Sequence, residues 1–213
     1  MILDENALSI LDRRVRDELS DFRYNHTKGV ERAVIELGKI YMPTRIFELR
    51  AAALLHDIGK ENTYGDNISL AGKYNLLLSD DDKKSPKTLH QTIGALISKV
   101  NYSEFVTSDI IKAISVHSTA SKNMSLFDML LYLADYIEDT RKYEFCQLLR
   151  EKFFNSIKNS SANDYVTILY AIILESLNYT IIELLESNAY IHINTFEARN
   201  SFIEKLAATA DHV

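Results

Sequence analysis

The stretch LRAAALLHDIGK, residues 49–60, decides the fold class and raises the main question about function. Up to Leu55 it is apolar on nearly every side, which is typical of a helix buried all round. His56 and Asp57 then stand at the end of this apolar run. An ionised carboxylate buried without a partner is strongly destabilising. Asp57 therefore needs hydrogen bonds, an ion pair or a cation close to it.

The rest of the chain repeats apolar residues at helical spacing, and its two prolines and six glycines argue against a turn-rich β fold. Loops are predicted at 61–69 and 79–88, which contain Asn, Gly, Asp, Ser and Pro, and Ser125 with Asp128 resembles a capping box. We expect an all-α, single-domain protein over 1–213, with a helical-bundle core at about 20–140 and a helical extension at about 141–213. The predicted helices cover about 5–21, 25–41, 44–59, 89–100, 108–117, 126–139, 141–159, 163–187 and 195–210.

Composition excludes several classes of protein. The net charge of −6 argues against a nucleic-acid-binding surface, which is normally basic. Cys146 is the only cysteine, so an intrachain disulfide and a multi-thiol metal site are excluded. The N-terminus lacks the order of a signal peptide, and Glu175 and Asn178 interrupt the apolar run at 166–185. These features predict a cytoplasmic protein without a membrane span.

A second carboxylate stands in an equally apolar context. Asp135 lies within LLYLADYIED, residues 130–139, and needs a strong partner for the same reason as Asp57. Four histidines lie in or beside predicted helices: His26, His56, His90 and His117. Each alone is interpreted most simply as a core or surface residue. Together, neutral imidazoles and carboxylates are suitable ligands for Fe, Mn, Ni or Zn ions, so the set indicates a shared cation.

The order of these residues is similar to a known family signature. His26, then His56-Asp57, then Asp135 on successive helices resembles the HD-domain metal-dependent phosphohydrolases. The segments RYNHTKGVERAV, AALLHDIGK, TLHQTIGAL and AISVHSTASKNMSLFDMLLYLADYIEDTR resemble the YqeK-like branch of that superfamily over roughly residues 8–190. That branch cleaves diadenosine tetraphosphate symmetrically.

The resemblance implies a metal site made of His26, His56, Asp57 and Asp135. Two neutral imidazoles and two carboxylates would neutralise a divalent ion. The family favours iron, in a divalent or trivalent state, with manganese and nickel as alternatives. Asp57 is expected to orient or deprotonate the attacking water as well as to bind metal.

The resemblance also implies groups that bind a nucleotide substrate. His90 and His117 are assigned to catalysis and to the substrate phosphates, with a second metal at this pair as an alternative. Lys60 is assigned to the same two tasks. Substrate binding is further expected of Arg23, Gly59 and Arg141. Ordinary surface charge is the alternative for Arg23, Lys60 and Arg141, and in this context the site role is favoured over it.

Three functions remain open from the sequence. The first is symmetrical hydrolysis of a dinucleoside tetraphosphate to two nucleoside diphosphates. The second is an HD-type nucleotidase or deoxynucleotide phosphohydrolase, and the third is a nucleotide-binding module without catalysis. The expected partners are the nucleotide and, as an option, a second copy of the chain in a homodimer. Nucleic acid and membrane are not expected partners.

Overall fold

The computed structural model describes residues 3–210, and within that range it contains eleven α-helices and no β-strand. This confirms the predicted all-α fold. The helices are α1 Glu5–Glu18, α2 Asp21–Tyr41, α3 Ile46–Leu55, α4 Tyr64–Lys73, α5 Asp80–Lys84, α6 Leu89–Asn101, α7 Ser108–Val116, α8 Leu126–Ile137, α9 Glu144–Lys158, α10 Tyr165–Glu186 and α11 Ile193–Ala210. Residues 211–213 of the predicted extension lie outside the described part of the chain, and the predicted division near residue 141 stays a prediction.

Two apolar helices, α3 and α8, lie at the centre of the bundle. In α3 every residue from Ala51 to Leu55 is fully buried, and in α8 nearly every side chain from Phe127 to Ala134 is buried. Helix α2 packs against both, and α7 also contacts both. Burial of this apolar surface is the main stabilising contribution, and it brings the polar ends of α3 and α8 close to the second turn of α2.

Helix α2 begins four residues earlier than the sequence predicts. Ser20 caps it, because its hydroxyl accepts a hydrogen bond from the backbone N–H of Arg23. Arg23 and His26 therefore lie on one face of the same helix, as the assignment of Arg23 to the site requires. The predicted capping box of α8 is confirmed, with Ser125 and Asp128 each bonded to the backbone of the other.

The two predicted loops were wrong in part, because each contains a short helix. Helix α4 occupies most of 61–69 and continues beyond it, and α5 occupies the first half of 79–88. Both begin with a capping box, Thr63 with Asp66 and Ser79 with Asp82. In α5 three acidic residues in the first turn and two lysines in the last turn also stabilise the helix through its dipole. These local signals outweighed the turn-like composition.

Helix α3 ends at Leu55, four residues before the predicted end at Gly59. A turn follows, and Gly59 does not adopt the positive φ of a helix-terminating glycine. Its role is close packing against α6, since a Cβ there would lie 3.1 Å from the carbonyl oxygen of His90 and the backbone nitrogen of Gly94. The turn therefore holds His56 and Asp57 against the start of α6.

The C-terminal helices pack as a group, with α10 against both α9 and α11. The hydrophobic core continues into them through Phe153, Leu169 and Phe202. Among residues 3–210, one helical segment, 162–186, is long and apolar enough to cross a membrane by length and composition. The expectation that Glu175 and Asn178 break this run too early was therefore wrong by that measure. A single helix of this kind is weak evidence for a span, and the absence of a membrane partner stays a prediction.

Candidate metal centre

The ends of α3 and α8 and the second turn of α2 meet at a cluster of imidazoles and carboxylates. The Nε2 atom of His26 lies 3.0 Å from Oδ1 of Asp135 and 3.3 Å from Nε2 of His56. Oδ2 of Asp57 lies 3.7 Å from the first of these nitrogens and 3.6 Å from the second. His26 and His56 therefore each lie within 4 Å of both carboxylates assigned to the metal.

The two later histidines complete a second half of this cluster. The Nε2 atoms of His90 and His117 lie 3.1 Å apart, and they are 3.2 and 3.5 Å from Oδ1 of Asp57. Asp57 therefore faces the two halves with different oxygens, Oδ2 toward His26 and His56 and Oδ1 toward His90 and His117. Its side chain is almost fully buried, so these contacts replace its hydration.

Three of the histidines are oriented by a backbone carbonyl three residues earlier. The Nδ1 atoms of His56, His90 and His117 donate to the carbonyl oxygens of Ala53, Lys87 and Ile114, at 2.7 to 2.8 Å. The donated proton fixes the tautomer and leaves the lone pair on Nε2, directed into the cluster.

His26 is oriented differently, by the buried carboxylate of Glu138. Its Nδ1 donates to Oε1 of Glu138 at 3.1 Å, and Glu138 also accepts hydrogen bonds from the backbone and hydroxyl of Thr140. Gly29, one turn after His26, makes room for this carboxylate, since a Cβ there would lie 2.1 Å from Oε2 of Glu138. A carboxylate bonded to a ligand histidine is a common arrangement in metal sites.

These different environments shift the pKa values of the histidines in opposite directions. Burial lowers the pKa of His56 to about 3 and the pKa of His90 to about 4. Burial acts the same way on His26, but hydrogen bonds to Asp135 and Glu138 outweigh it and raise the pKa of His26 to about 9. A cation at the centre would compete with this proton on His26.

The two carboxylates are ionised despite their surroundings. Burial opposes ionisation of Asp57, but the neighbouring histidines hold the pKa of Asp57 well below its usual range. Burial likewise opposes ionisation of Asp135, and Arg141 with His26 holds the pKa of Asp135 well below its usual range. Both groups therefore supply a full negative charge at neutral pH.

The donor set fits a divalent cation. The Nε2 atoms of His90 and His117 face each other at 3.1 Å, although the outer Nδ1 atoms carry the ring protons. Lone pairs that face each other at this distance repel unless a proton or a metal ion lies between them. Three groups of donors in the described chain have ligand atoms within 4.8 Å of one another: His26, His56, Asp57; His56, His117, Asp135; and Asp57, His90, His117. Nitrogen and oxygen donors of this kind suit first-row transition metals.

Three cationic side chains surround the cluster where the sequence predicted them. Nη1 of Arg23 donates to Oδ2 of Asp57 at 2.6 Å, and Arg141 donates to both the carboxylate and the backbone carbonyl of Asp135. Nζ of Lys60 lies 3.1 Å from Nε2 of His90, and burial lowers the pKa of Lys60. All three are at the site rather than on the distant surface. Gly59 has no side chain and packs against the backbone of α6. Its assignment to substrate binding stays a prediction.

Sequence reasoning missed Glu138 and Gln91, which position the ligands. The amide oxygen of Gln91 accepts hydrogen bonds from the backbone N–H groups of Ser118 and Thr119, and its amide nitrogen donates to Thr119 Oγ1. Gln91 thereby joins the start of α6 to the turn after His117. In the sequence, the position of Gln91 directly after His90 is the feature that indicates a role at the site. For Glu138 that feature is its position one turn after Asp135.

Comparison with known proteins bears on this arrangement. The HD domain family matches residues 23–140, which include every residue of the cluster. The chain belongs to the HD domain family. An HD domain implies a divalent metal, and the membership confirms the predicted fold class and the predicted metal-dependent phosphohydrolase.

Relatives over nearly the full length extend the comparison. The chain is 29% identical over 191 residues to the symmetrical bis(5'-nucleosyl)-tetraphosphatase of Halalkalibacterium halodurans, covering 89% of this chain and 93% of the relative. It is 24% identical over 187 residues to the Bacillus subtilis protein of the same name, covering 87% and 92%. A crystal structure of a predicted HD superfamily hydrolase involved in NAD metabolism from Clostridium acetobutylicum superposes with a TM-score of 0.80 at 28% identity, covering 92% and 97%.

Proposed function

We propose that this HD domain protein hydrolyses diadenosine tetraphosphate, or a related dinucleoside polyphosphate, symmetrically to two nucleoside diphosphates. The observation that carries the proposal is the buried cluster of four inward-facing Nε2 atoms and two carboxylates, flanked by three cations. The full-length relatives named as symmetrical tetraphosphatases support the choice of substrate.

The metal would be held by His26, His56, Asp57 and Asp135. A bound divalent metal supplies Lewis acidity toward a phosphoryl oxygen and makes water more acidic. Iron is the metal we expect, with manganese and nickel as alternatives, because imidazole and carboxylate together suit all three. A second ion between His90 and His117 is the alternative use of those two residues, since both face Oδ1 of Asp57.

The cations would hold the polyphosphate chain over the cluster. Arg23, Lys60 and Arg141 place three positive charges around the carboxylates, where they can also neutralise charge that develops on the phosphoryl oxygens. His90 and His117 would contact phosphate oxygens from the side opposite His26. This arrangement favours an extended anion over a single phosphate.

The chemical step follows from these positions. Water attacks one of the two inner phosphorus atoms and would give a proton to Asp57, which passes it to solvent. A bond forms between the water oxygen and that phosphorus, and the bond from that phosphorus to the oxygen that bridges the two inner phosphorus atoms breaks. The bridging oxygen leaves on the second nucleoside diphosphate, so one water yields two equivalent products. Asp57 is ionised and would orient the water through a hydrogen bond, while the cations stabilise the leaving diphosphate.

The experiment uses protein purified anaerobically and loaded in turn with Fe²⁺, Mn²⁺ and Ni²⁺. It is incubated with diadenosine tetraphosphate, and the products are resolved by ion-exchange chromatography. ADP as the sole product, abolished by a chelator, is the expected result. AMP with ATP would keep the hydrolase and overturn symmetrical cleavage.

Two other outcomes correspond to the other functions that the sequence left open. Turnover of mononucleotides alone, with release of phosphate or tripolyphosphate, would identify a nucleotidase or deoxynucleotide phosphohydrolase. Tight binding of metal and nucleotide without turnover of any substrate would identify a binding module.

A further inference from the structure

Two large aromatic side chains are exposed at the mouth of the metal centre. Phe22 in the first turn of α2 is 77% exposed and Tyr143 before α9 is 67% exposed. Both line one cavity of about 380 Å³. We call this the Phe22 cavity, lined by Phe22, Asn25, His26, Glu138, Thr140, Arg141, Lys142 and Tyr143. Exposed apolar groups gathered at a concave site are typical of ligand binding.

The Phe22 cavity leads from the solvent to the groups that hold phosphate and metal. Its inner lining includes His26 and Glu138, both buried, and Arg141, which also donates to Asp135. Its volume lies at the lower end of the range for small-molecule sites, about 300–1,000 Å³. A ligand in this cavity would therefore have an attached phosphate group within reach of Arg141.

The Phe22 ring is available for stacking, in contrast to other aromatic rings nearby. A second cavity of about 300 Å³, also lined by Tyr143, includes Tyr179, but that ring already stacks on Phe145 with centroids 3.8 Å apart. Phe22 makes no aromatic pair within the described chain, and its near neighbour is the guanidinium of Arg23, 5.7 Å from the ring centroid. A flat ligand can therefore lie against Phe22 without displacing a partner ring.

The chemistry of the lining identifies the class of ligand. Aromatic faces bind flat π systems, while Arg141 and Lys142 favour an anion attached to that system. Asn25 adds an amide that can donate to or accept from the edge of a heterocycle. A base joined to a phosphate chain combines these properties.

We propose that the Phe22 cavity holds one nucleoside of the substrate, with its base stacked on Phe22 and Tyr143. This inference rests on the proposed function for the identity of the polyphosphate. Stacking accepts every base, because each has a π face, so recognition at this end is tolerant of base identity. Phe22 then contributes to substrate affinity and leaves the chemistry at the metal centre unchanged.

The test compares a nucleotide with a base-free anion by isothermal titration calorimetry on the metal-loaded protein. ADP and pyrophosphate are titrated into wild-type protein and into Phe22→Leu and Phe22→Tyr variants. Phe22→Leu keeps apolar bulk but removes the ring, so the Kd of ADP should rise about tenfold, which corresponds to about 1.4 kcal/mol. Phe22→Tyr should retain the wild-type Kd of ADP, and the Kd of pyrophosphate should be the same in all three proteins.

Leu77→Ala is the matched control, because Leu77 is 94% exposed and does not line the Phe22 cavity. It should leave both affinities unchanged. An equal Kd of ADP in wild-type and Phe22→Leu protein would overturn the stacking role, as would a parallel loss for pyrophosphate. Because binding is measured without turnover, this failure is separate from failure of the proposed hydrolysis, which the product assay reports.

Discussion

The four histidines of the metal centre are held in two different ways. His56 and His117 directly follow α3 and α7, and His90 lies in the first turn of α6, so each finds a carbonyl three residues earlier. His26 lies inside α2, where the nearby carbonyls already accept helix hydrogen bonds. It is held instead by Glu138, which is 112 residues away in the chain. Helix ends thus orient a ligand locally, whereas a ligand within a helix depends on tertiary structure.

The largest expected effect comes from removing a ligand that a nearby backbone carbonyl orients. His56→Ala should lose bound metal and reduce kcat/KM more than about a hundredfold, because Lewis acidity contributes several kcal/mol. Metal content is measured by elemental analysis and turnover by product chromatography. His26→Ala should give a loss of the same size, since both histidines are assigned to the same ion. Full metal content with normal turnover in His56→Ala would remove His56 from the ligand set.

Glu138→Gln tests His26, the histidine whose orientation depends on tertiary structure. The substitution weakens the acceptor for His26 Nδ1 and should reduce metal affinity about 10- to 100-fold, while the ligands themselves remain. Affinity is measured by competition with a chelator. Asp139→Asn is the matched control, because that neighbouring carboxylate pairs with exposed Arg32 and should leave affinity unchanged. Equal affinities in both variants would show that Glu138 does not position His26.

Lys60→Met tests whether Lys60, which contacts His90, binds the substrate phosphates. Loss of one charge-assisted contact should raise KM for the dinucleotide about tenfold and leave metal content unchanged. Steady-state kinetics and elemental analysis measure the two quantities. Lys39→Met, at an exposed position on α2, is the control for removing a positive charge. An unchanged KM would separate Lys60 from substrate binding.

The smallest effect on metal binding is expected at Gln91, which joins the start of α6, next to His90, to the turn after His117. Gln91→Met keeps the volume but leaves the N–H groups of Ser118 and Thr119 without their acceptor. The free energy of unfolding should fall by about 2 kcal/mol and Tm by roughly 4–8 °C, with metal affinity reduced only slightly. Thermal unfolding followed by circular dichroism measures this change. An unchanged Tm would show that the turn is held by other contacts.

The sequence predicted what depends on local pattern and ligand chemistry. Periodicity identified the long helices, and the apolar context of Asp57 and Asp135 indicated that both carboxylates share a partner. The structure brings these two residues to within contact distance of the same histidines. The assignment of individual roles, including that of Gly59, stays a prediction.

The features that the sequence did not predict depend on tertiary contacts or on weak local signals. Glu138 stands in the polar stretch EDTR, so nothing local distinguishes its buried carboxylate from a solvated one. Gly29 was not interpreted, because the carboxylate that requires its small size comes from the far end of α8. The short helices α4 and α5 were missed because turn-like composition was weighted above their capping residues.

The backbone anchors of three histidines have a consequence for evolvability. A carbonyl oxygen cannot be replaced by a point mutation, so no single substitution of an outer partner can retune His56, His90 or His117. Glu138, by contrast, is encoded as a side chain and can be exchanged. Laboratory evolution of altered metal preference should therefore accumulate changes around His26, at Glu138, Thr140 and Gly29, while the other three anchors stay constant.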